Sequence, residues 1–334
     1  KFYNWNTAAD GSGTSYSPNE NVVVTQEMGP AVKLYAQWKP ITAQIIDSNG
    51  TSAVREYISL ADAVEAYDGN GYIKMTANTE EPGFTLGENL YLDLNGKTVT
   101  LTSGLDTGSY KLYGMDTATD DYDGTDAGKI TGTVSGTVAP VVQTELKADS
   151  EYSYYRYVAI QNGSELSFHR FNISVTGYRF ELAAPQCALF FIGKFQGDDA
   201  AKKYLTSLGF TLKDADGTLL DKKSFLIPKD PNEIPNKESN PGESLVVRDT
   251  DGAYLFEFYL KRSFEMNPPD DTAYTEEFSA IAHATFDNGG TQDSGTQDNE
   301  TQMLSFKKAW RNALSDSDSG MEQEGKAILT TFLN

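Results

Sequence analysis

The sequence predicts a mostly β protein whose second half is a β-sandwich that ends in helices. Three observations predict this class. Hydrophobic residues make up 39% and aromatic residues 12% of the 334 residues, which is enough apolar material for a large core. Short apolar or alternating runs recur along the chain. Turns rich in Gly, Asn and Asp separate these runs. The length suits two or three compact domains.

The charge excludes two classes of partner. Asp and Glu number 48 against 27 Lys and Arg, which gives a formal charge of −21. Proteins that bind a phosphate backbone present a basic patch, and no dense run of Lys or Arg occurs here. We therefore expect no nucleic-acid partner. The longest purely apolar stretch, Cys187 to Ile192, is far shorter than the roughly 20 residues of a spanning helix. We therefore expect no membrane insertion within this chain.

Residues for catalysis are scarce. The single cysteine, Cys187, excludes an internal disulfide and a cysteine zinc site. The two histidines, His169 and His283, stand apart in the sequence. No hydrolase, metalloprotease or nucleotide-binding motif is present. We therefore nominate no catalytic residue and expect that the chain is not an enzyme.

The first predicted domain is residues 1–40. Strands are predicted at Val22–Val24 and Val32–Trp38, on either side of irregular chain. The large aromatic side chains are the natural core anchors of so small a piece. These anchors are Trp5, Tyr35 and Trp38.

Three runs in this piece resemble the second half of a Listeria–Bacteroides repeat, the internalin B-type repeat. They are Trp5-Asn6-Thr7, Asp10 to Tyr16 and Leu34 to Trp38. The first half of the repeat is missing, so we expect a truncated β-rich repeat. The family consists of small β-rich modules arranged in tandem on bacterial surface proteins. The resemblance therefore implies a secreted or surface-anchored setting, and a role in adhesion or spacing.

The second predicted domain is residues 41–150. A helix is predicted over Ser59–Tyr67, with Ser59 as N-cap and Asp62 completing a capping box. This helix, followed by the run Leu92 to Val99, resembles the opening of right-handed β-helix surface proteins, in which a helix caps the first coil. The resemblance implies a short right-handed β-helix-like segment of two to four coils. An ordinary small α+β unit is the alternative.

An acidic loop lies within this domain. Five aspartates fall within the eleven residues from Asp116 to Asp126, and no base stands among them. Their mutual repulsion has to be offset. Two interpretations remain open: a calcium site, because calcium takes oxygen ligands, or a solvated, turn-rich loop with Asx-type hydrogen bonds. The candidate calcium ligands are Asp121, Asp123 and Asp126. No other cofactor is expected.

The third predicted domain is residues 151–334. Its regularly spaced strands predict a β-sandwich, and helices are predicted at Asp198–Leu208, Ser305–Leu314 and Met321–Leu333. The run from Arg156 to Phe195 resembles an uncharacterised domain of surface proteins from gut bacteria. This resemblance implies a surface-protein setting and no particular activity.

A dense tyrosine cluster offers rings for sugar contact. Alternatively, some of its rings pack into the sandwich and the others lie on its exterior. The candidate glycan-binding residues are Tyr152, Tyr154 and Tyr155.

The function predicted from these features is that of a non-catalytic module in a secreted or surface-anchored bacterial protein, acting in adhesion, spacing or ligand presentation. The expected partner is a host or bacterial surface protein or a glycan. A carbohydrate-binding module is the first alternative. A polysaccharide-acting enzyme, a lyase or a glycosidase, is the second, because carboxylates are abundant.

Overall fold

The computed structural model describes residues 1–24, 31–47, 52–138, 141–148, 151–183, 186–237, 246–263, 272–287, 296–300, 303–316, 323, 326–327 and 330. The protein is mostly β, with 52% strand and 13% helix, as the sequence predicts. It divides into two compact units, Lys1–His169 and Arg170–Asn334.

The first unit begins with a three-stranded antiparallel sheet in the order β2-β1-β3. Its strands are β1 (Phe2–Asn6), β2 (Ser15–Tyr16) and β3 (Tyr35–Trp38). The Asn6 side chain, only 1% exposed, accepts hydrogen bonds from the amides of Ala8 and Gly13 and so fixes the loop between β1 and β2. The predicted strand at Val22–Val24 is irregular chain.

The predicted core anchors of this sheet are exposed. Trp38 is 72% exposed, Trp5 40% and Tyr35 39%. The prediction was wrong because three short strands supply only one layer, and nothing among the described residues packs as a second layer over these rings. Phe2 lies edge-on to both tryptophans, with its ring centroid 5.2 Å from Trp5 and 5.8 Å from Trp38.

A hairpin and a helix lead into the next segment. They are β4 (Ala43–Ile46), β5 (Ala53–Tyr57) and α1 (Leu60–Glu65). As predicted, Ser59 is the N-cap of α1, and its hydroxyl accepts from the Asp62 amide. The first-turn amides of Leu60 and Ala61 donate to the buried carboxylate of Glu81, at 2.5 and 2.7 Å. Glu81 thus supplies a second, long-range cap.

A β-solenoid of about three turns follows α1. Its coils run through β6 (Tyr72–Met75), β7 (Thr79–Glu81), β8 (Phe84–Thr85), β9 (Leu90–Asp93), β10 (Thr98–Leu101), β11 (Leu105–Met115), β12 (Lys129–Thr131) and β13 (Val134–Val138). Successive coils pair in parallel, so that Val99 lies between Thr79 and Ile130 on one face. The predicted β-helix-like segment is therefore confirmed.

The solenoid is stabilised by an apolar interior and by a tight corner. Buried residues of successive coils lie side by side, as Ile73 does with Leu92 and Leu90 with Leu112, so each coil buries its face against its neighbours. At one corner Gly104 has φ +84°, and a Cβ there would lie 2.4 Å from the Thr133 carbonyl oxygen. Only glycine allows the two coils to approach so closely.

The first unit extends through His169. The hairpin of β14 (Val141–Ala148) and β15 (Glu151–Asn162) follows the third coil. Tyr157, Leu166 and Phe168 are buried in the solenoid core. Because these side chains complete that core, the chain up to His169 belongs to the first unit.

Two antiparallel sheets make up most of the second unit. One contains β16 (Glu165–Ala183), whose first residues belong to the first unit, β17 (Gln186–Gly197), β20 (Val246–Arg248) and β21 (Tyr254–Ser263). The other contains β18 (Leu205–Asp214), β19 (Leu219–Leu226), β22 (Phe278–Phe286) and β23 (Thr296–Glu300).

Aromatic rings from the two sheets pack against each other. The ring centroids of Phe210 and Phe256 lie 4.8 Å apart, and those of Phe171 and Phe286 lie 4.7 Å apart. Such face-to-face packing of two antiparallel sheets defines the predicted β-sandwich.

The helices of this unit are α2 (Asp199–Tyr204), α3 (Thr272–Thr275) and α4 (Phe306–Ser315). The predicted helix over Asp198–Leu208 is shorter than expected, because its last residues join strand β18. Helix α4 matches its prediction, and its Trp310 is fully buried. The helix predicted over Met321–Leu333 lies almost wholly outside the described residues.

Candidate functional site at the acidic loop

The acidic loop, residues 116–128, is inserted in the third coil between β11 and β12. It begins with a single 3-10 turn, Thr117–Thr119, whose N-cap is Asp116. Asp and Thr are common at such positions because their side chains bond to nearby backbone amides. The loop therefore starts from a fixed point on the solenoid.

Asp116 connects both ends of the loop to the neighbouring coil. Its side chain is fully buried. Oδ1 accepts from the amides of Gly96, at 2.8 Å, and Ala118, at 3.1 Å. Oδ2 accepts from the amide of Gly128, at 2.5 Å. One carboxylate thus joins the second coil, the start of the loop and its end.

Asp93 supports the same turn from the second coil. It is also fully buried, and it accepts from the amide and the hydroxyl of Thr117, both at 3.0 Å. The amide of Asn95 donates to it at 2.9 Å. The ammonium of Lys74 lies 3.7 Å from Oδ2. This buried carboxylate is therefore both hydrogen-bonded and paired with a cation, as burial requires.

Burial opposes the ionisation of both carboxyl groups. It raises the pKa of Asp116 to about 6, although three backbone amides favour the charged form and Asp93 opposes it. Burial also raises the pKa of Asp93, against the Thr117 hydrogen bonds and the charge of Lys74. We therefore expect the support of the loop to depend on pH.

The exposed tip of the loop carries the three predicted calcium ligands. Asp121, Asp123 and Asp126 are all exposed. Oδ1 of Asp121 accepts from the Asp123 amide at 3.2 Å, and Oδ1 of Asp123 accepts from the amide and hydroxyl of Thr125, both at 2.8 Å. The Thr125 amide and then its hydroxyl hold the pKa of Asp123 below its usual value. These are the Asx-type hydrogen bonds expected of a solvated turn.

Calcium at this tip stays a prediction. Within the described part of the chain, no three His, Cys, Asp or Glu side chains converge where they could hold a metal ion. Because these carboxylates do not converge, ligation by all three aspartates requires the turn to rearrange.

The predicted glycan-binding tyrosines lie on strand β15. The backbones of Tyr152, Tyr154 and Tyr155 pair with Lys147, Glu145 and Thr144 of β14. Their side chains lie outside the described part of the structure, so sugar contact by these residues stays a prediction. The neighbouring Tyr157 is fully buried, and its hydroxyl donates to Asp120 of the acidic loop at 2.9 Å.

Sequence reasoning missed the residues that form the site's support. Asp93 and Asp116 are 23 positions apart in the sequence. The local patterns that could have indicated them are Asp-x-Asn-Gly at Asp93 and Asp-Thr-x-Thr at Asp116, each at the end of a strand. Such patterns indicate capped turns. Sequence reasoning also missed the ring cluster, in which the exposed Trp5 and Trp38 contact the half-buried Phe2.

No family model and no curated protein sequence matches the chain. Its structural similarities are weak. A protein from Bacteroides fragilis named as a beta-galactosidase has a TM-score of 0.21 and 11% identity, with 40% of this chain and 18% of that chain covered. The beta-glucuronidase of Bifidobacterium dentium has a TM-score of 0.20 and 12% identity, with 41% and 19% covered.

A protein from Archaeoglobus fulgidus has a TM-score of 0.21 and 9% identity, with 40% of this chain and 94% of that chain covered. The aligned part spans less than a fifth of each of the two glycosidases.

Among the residues that the structure describes, no helix combines the length and apolar character needed to cross a membrane.

Proposed function

We propose that this chain is a non-catalytic module of a secreted or surface-anchored bacterial protein, and that it presents the acidic loop to a partner. The observation that supports this proposal is the use of Asp93 and Asp116. Both carboxylates are fully buried, and both are committed to backbone amides at the base of the loop. A rigid base below an exposed, charged tip is the arrangement that recognition requires.

The other buried carboxylates of the described chain also act as caps. Glu81 caps helix α1, and Asp198 accepts from the Ala201 amide at the start of α2. A general acid or base has to reach a proton on a substrate. Carboxylates that are consumed by backbone amides do not supply that reach, which supports a structural role over catalysis.

The proposed setting rests on the sequence. The resemblance of residues 1–40 to a Listeria–Bacteroides repeat supports a bacterial surface context. The net charge of −21 keeps the chain soluble and repels anionic surfaces, which suits a module extended away from a cell.

Adhesion by the acidic loop is tested with the purified chain, fluorescently labelled, on immobilised bacterial and epithelial cells. The Asp121→Asn, Asp123→Asn, Asp126→Asn triple variant should lose most of the binding. The matched control is Asp216→Asn, in the similarly acidic turn after β18. Equal binding by the triple variant and the control would remove the loop from the proposal.

Catalysis is tested separately, by release of reducing ends or of unsaturated products from a panel of polysaccharides. The proposal expects no turnover above that of the heat-denatured chain. Turnover that is lost on substitution of a single exposed carboxylate would replace it with the polysaccharide-acting enzyme.

Carbohydrate binding is the second candidate function, and the ring cluster favours it. Exposed tryptophan faces bind the apolar faces of sugars, and Trp38 and Trp5 are exposed beside Phe2. On a glycan array, Trp38→Ala should abolish any specific signal, whereas Tyr110→Ala, at an exposed tyrosine of the solenoid, should not. Loss with Tyr154→Ala or Tyr155→Ala instead would place the sugar on β15.

A further inference from the structure

A groove lies beside the first coil of the solenoid, apart from the acidic loop. It has a volume of about 470 Å³, within the roughly 300–1,000 Å³ range of ligand sites. Helix α1 and the chain after it form one wall, and β8 with the turn after it forms the other. The lining residues used below are Val64, Glu65, Tyr67, Thr85, Leu86 and Glu88.

The floor of the groove is apolar. Leu86 is 4% exposed and Tyr67 5% exposed, and the Tyr67 hydroxyl donates to the Gly71 carbonyl at 2.7 Å. Val64 adds apolar surface from the helix. The floor therefore suits an aliphatic stem.

Two carboxylates flank this floor. Glu65 is exposed and Glu88 half-buried. Neither forms an ion pair or hydrogen bond among the described residues, although other surface carboxylates of the chain do. Burial, and after it the charge of Glu88, raises the pKa of Tyr67. The groove thus has a negative rim that no cation of the described chain neutralises.

One wall carries an open strand edge. The amides of Phe84 and Leu86 donate to Gly104 and Asp106 of the second coil, at 3.2 and 2.9 Å. Backbone groups of alternate residues point to opposite sides of a strand. The amide and carbonyl of Thr85 therefore point away from the second coil, and β8 pairs with no described strand on that side.

We infer that this groove binds an extended, basic peptide segment of a partner protein. The peptide adds backbone hydrogen bonds at the Thr85 edge, in the manner of strand addition. The stem of a Lys or Arg lies on Leu86 and Tyr67, and its cation reaches Glu65 and Glu88. This binding surface goes beyond the proposed function and does not depend on the acidic loop.

The test uses the full chain and a labelled heptapeptide of alternating valine and lysine, followed by fluorescence anisotropy. We expect binding that weakens with added salt. Glu65→Gln and Glu88→Gln should each weaken it by about two- to fivefold, and the double variant by more. The matched control is Glu80→Gln, an exposed glutamate of the same coil that does not line the groove.

Two peptide controls separate the contributions. The peptide with glutamate in place of lysine should not bind. Two further peptides carry N-methyl groups on their odd-numbered or on their even-numbered residues. Only one of these two peptides should bind more weakly, because only one edge of the peptide meets Thr85. Absence of binding at millimolar peptide would overturn the inference. So would equal affinity of the wild type and a folded Glu65→Gln, Glu88→Gln variant, with folding checked by thermal unfolding.

Discussion

The buried hydroxyl of Tyr157 on β15 donates a hydrogen bond of 2.9 Å to Oδ1 of Asp120 in the acidic loop. The strand that follows the solenoid therefore stabilises a loop inserted in its third coil. The contact joins residues 37 positions apart, and it adds a third support to those that Asp93 and Asp116 provide.

Removal of this hydroxyl should destabilise the first unit. In Tyr157→Phe the ring still fills its site, but Asp120 loses a donor, so we expect a loss of about 1–2 kcal/mol in the free energy of unfolding. Urea unfolding measures it. The control Tyr110→Phe, at a 38% exposed ring, should change stability by less than about 0.5 kcal/mol. Equal effects of the two substitutions would contradict a structural role for this contact.

Asp116 should make stability depend on pH. Its pKa is about 6 in the folded protein against an ordinary value of 3.8, so the folded state holds this proton more tightly than the unfolded state. The resulting stabilisation is fully present below about pH 4 and is lost as the pH rises through 6, with a size on the order of 3 kcal/mol.

The measurement compares the wild type with Asp116→Asn in chemical denaturation from pH 4 to pH 8. The variant should be less stable throughout, because its amide group cannot accept from the Gly96, Ala118 and Gly128 amides at once. Its stability should also decline less than that of the wild type between pH 4 and 6, because only the raised pKa of Asp93 remains. Parallel pH profiles would show that Asp116 does not titrate in this range.

Glu81 should act as a cap for helix α1. In Glu81→Gln one of the two acceptor oxygens becomes a donor that faces the amide of Leu60 or Ala61. We expect a loss of about 1–3 kcal/mol by urea unfolding. The neighbouring exposed Glu80 supplies the control, Glu80→Gln, which should be nearly neutral. A neutral Glu81→Gln would mean that water replaces the cap.

The glycine corner can be tested with a matched pair of substitutions. Gly104→Ala adds a Cβ 2.4 Å from the Thr133 carbonyl oxygen at φ +84°, whereas Gly108→Ala adds one in open space at φ +57°. Both carry the cost of about 1–2 kcal/mol of placing an L-residue at positive φ, and only the first forces two coils apart. We therefore expect Gly104→Ala to be more destabilising by at least about 2 kcal/mol. Similar thermal midpoints for the two variants would contradict the tight stacking.

The calcium prediction has a direct test. Ligation by Asp121, Asp123 and Asp126 requires that calcium raise the midpoint of thermal unfolding relative to chelator, by an amount worth about 2.7 kcal/mol at 100 times the dissociation constant. The rise should disappear when all three are replaced by Asn and persist in Asp216→Asn. An unchanged wild-type midpoint would remove these three residues as ligands.

Local pattern was sufficient for the elements whose stability is local. Capping residues predict the N-cap of α1 at Ser59, and helical spacing predicts helix α4. Alternation of apolar and polar residues predicts the many strands of the sandwich. Each of these signals lies within a few residues, so the sequence alone determines them. The Asx turns at Asp121 and Asp123 are of the same kind.

The tertiary structure decided everything that depends on distant partners. Glu81 meets the amides of α1, Asp93 and Asp116 meet the ends of one loop, and Tyr157 meets Asp120, all across 12 or more positions. The exposure of Trp38 likewise depends on whether a second layer covers its sheet. Burial and pairing between distant residues are properties of the packed chain, and no pattern of neighbouring residues encodes them.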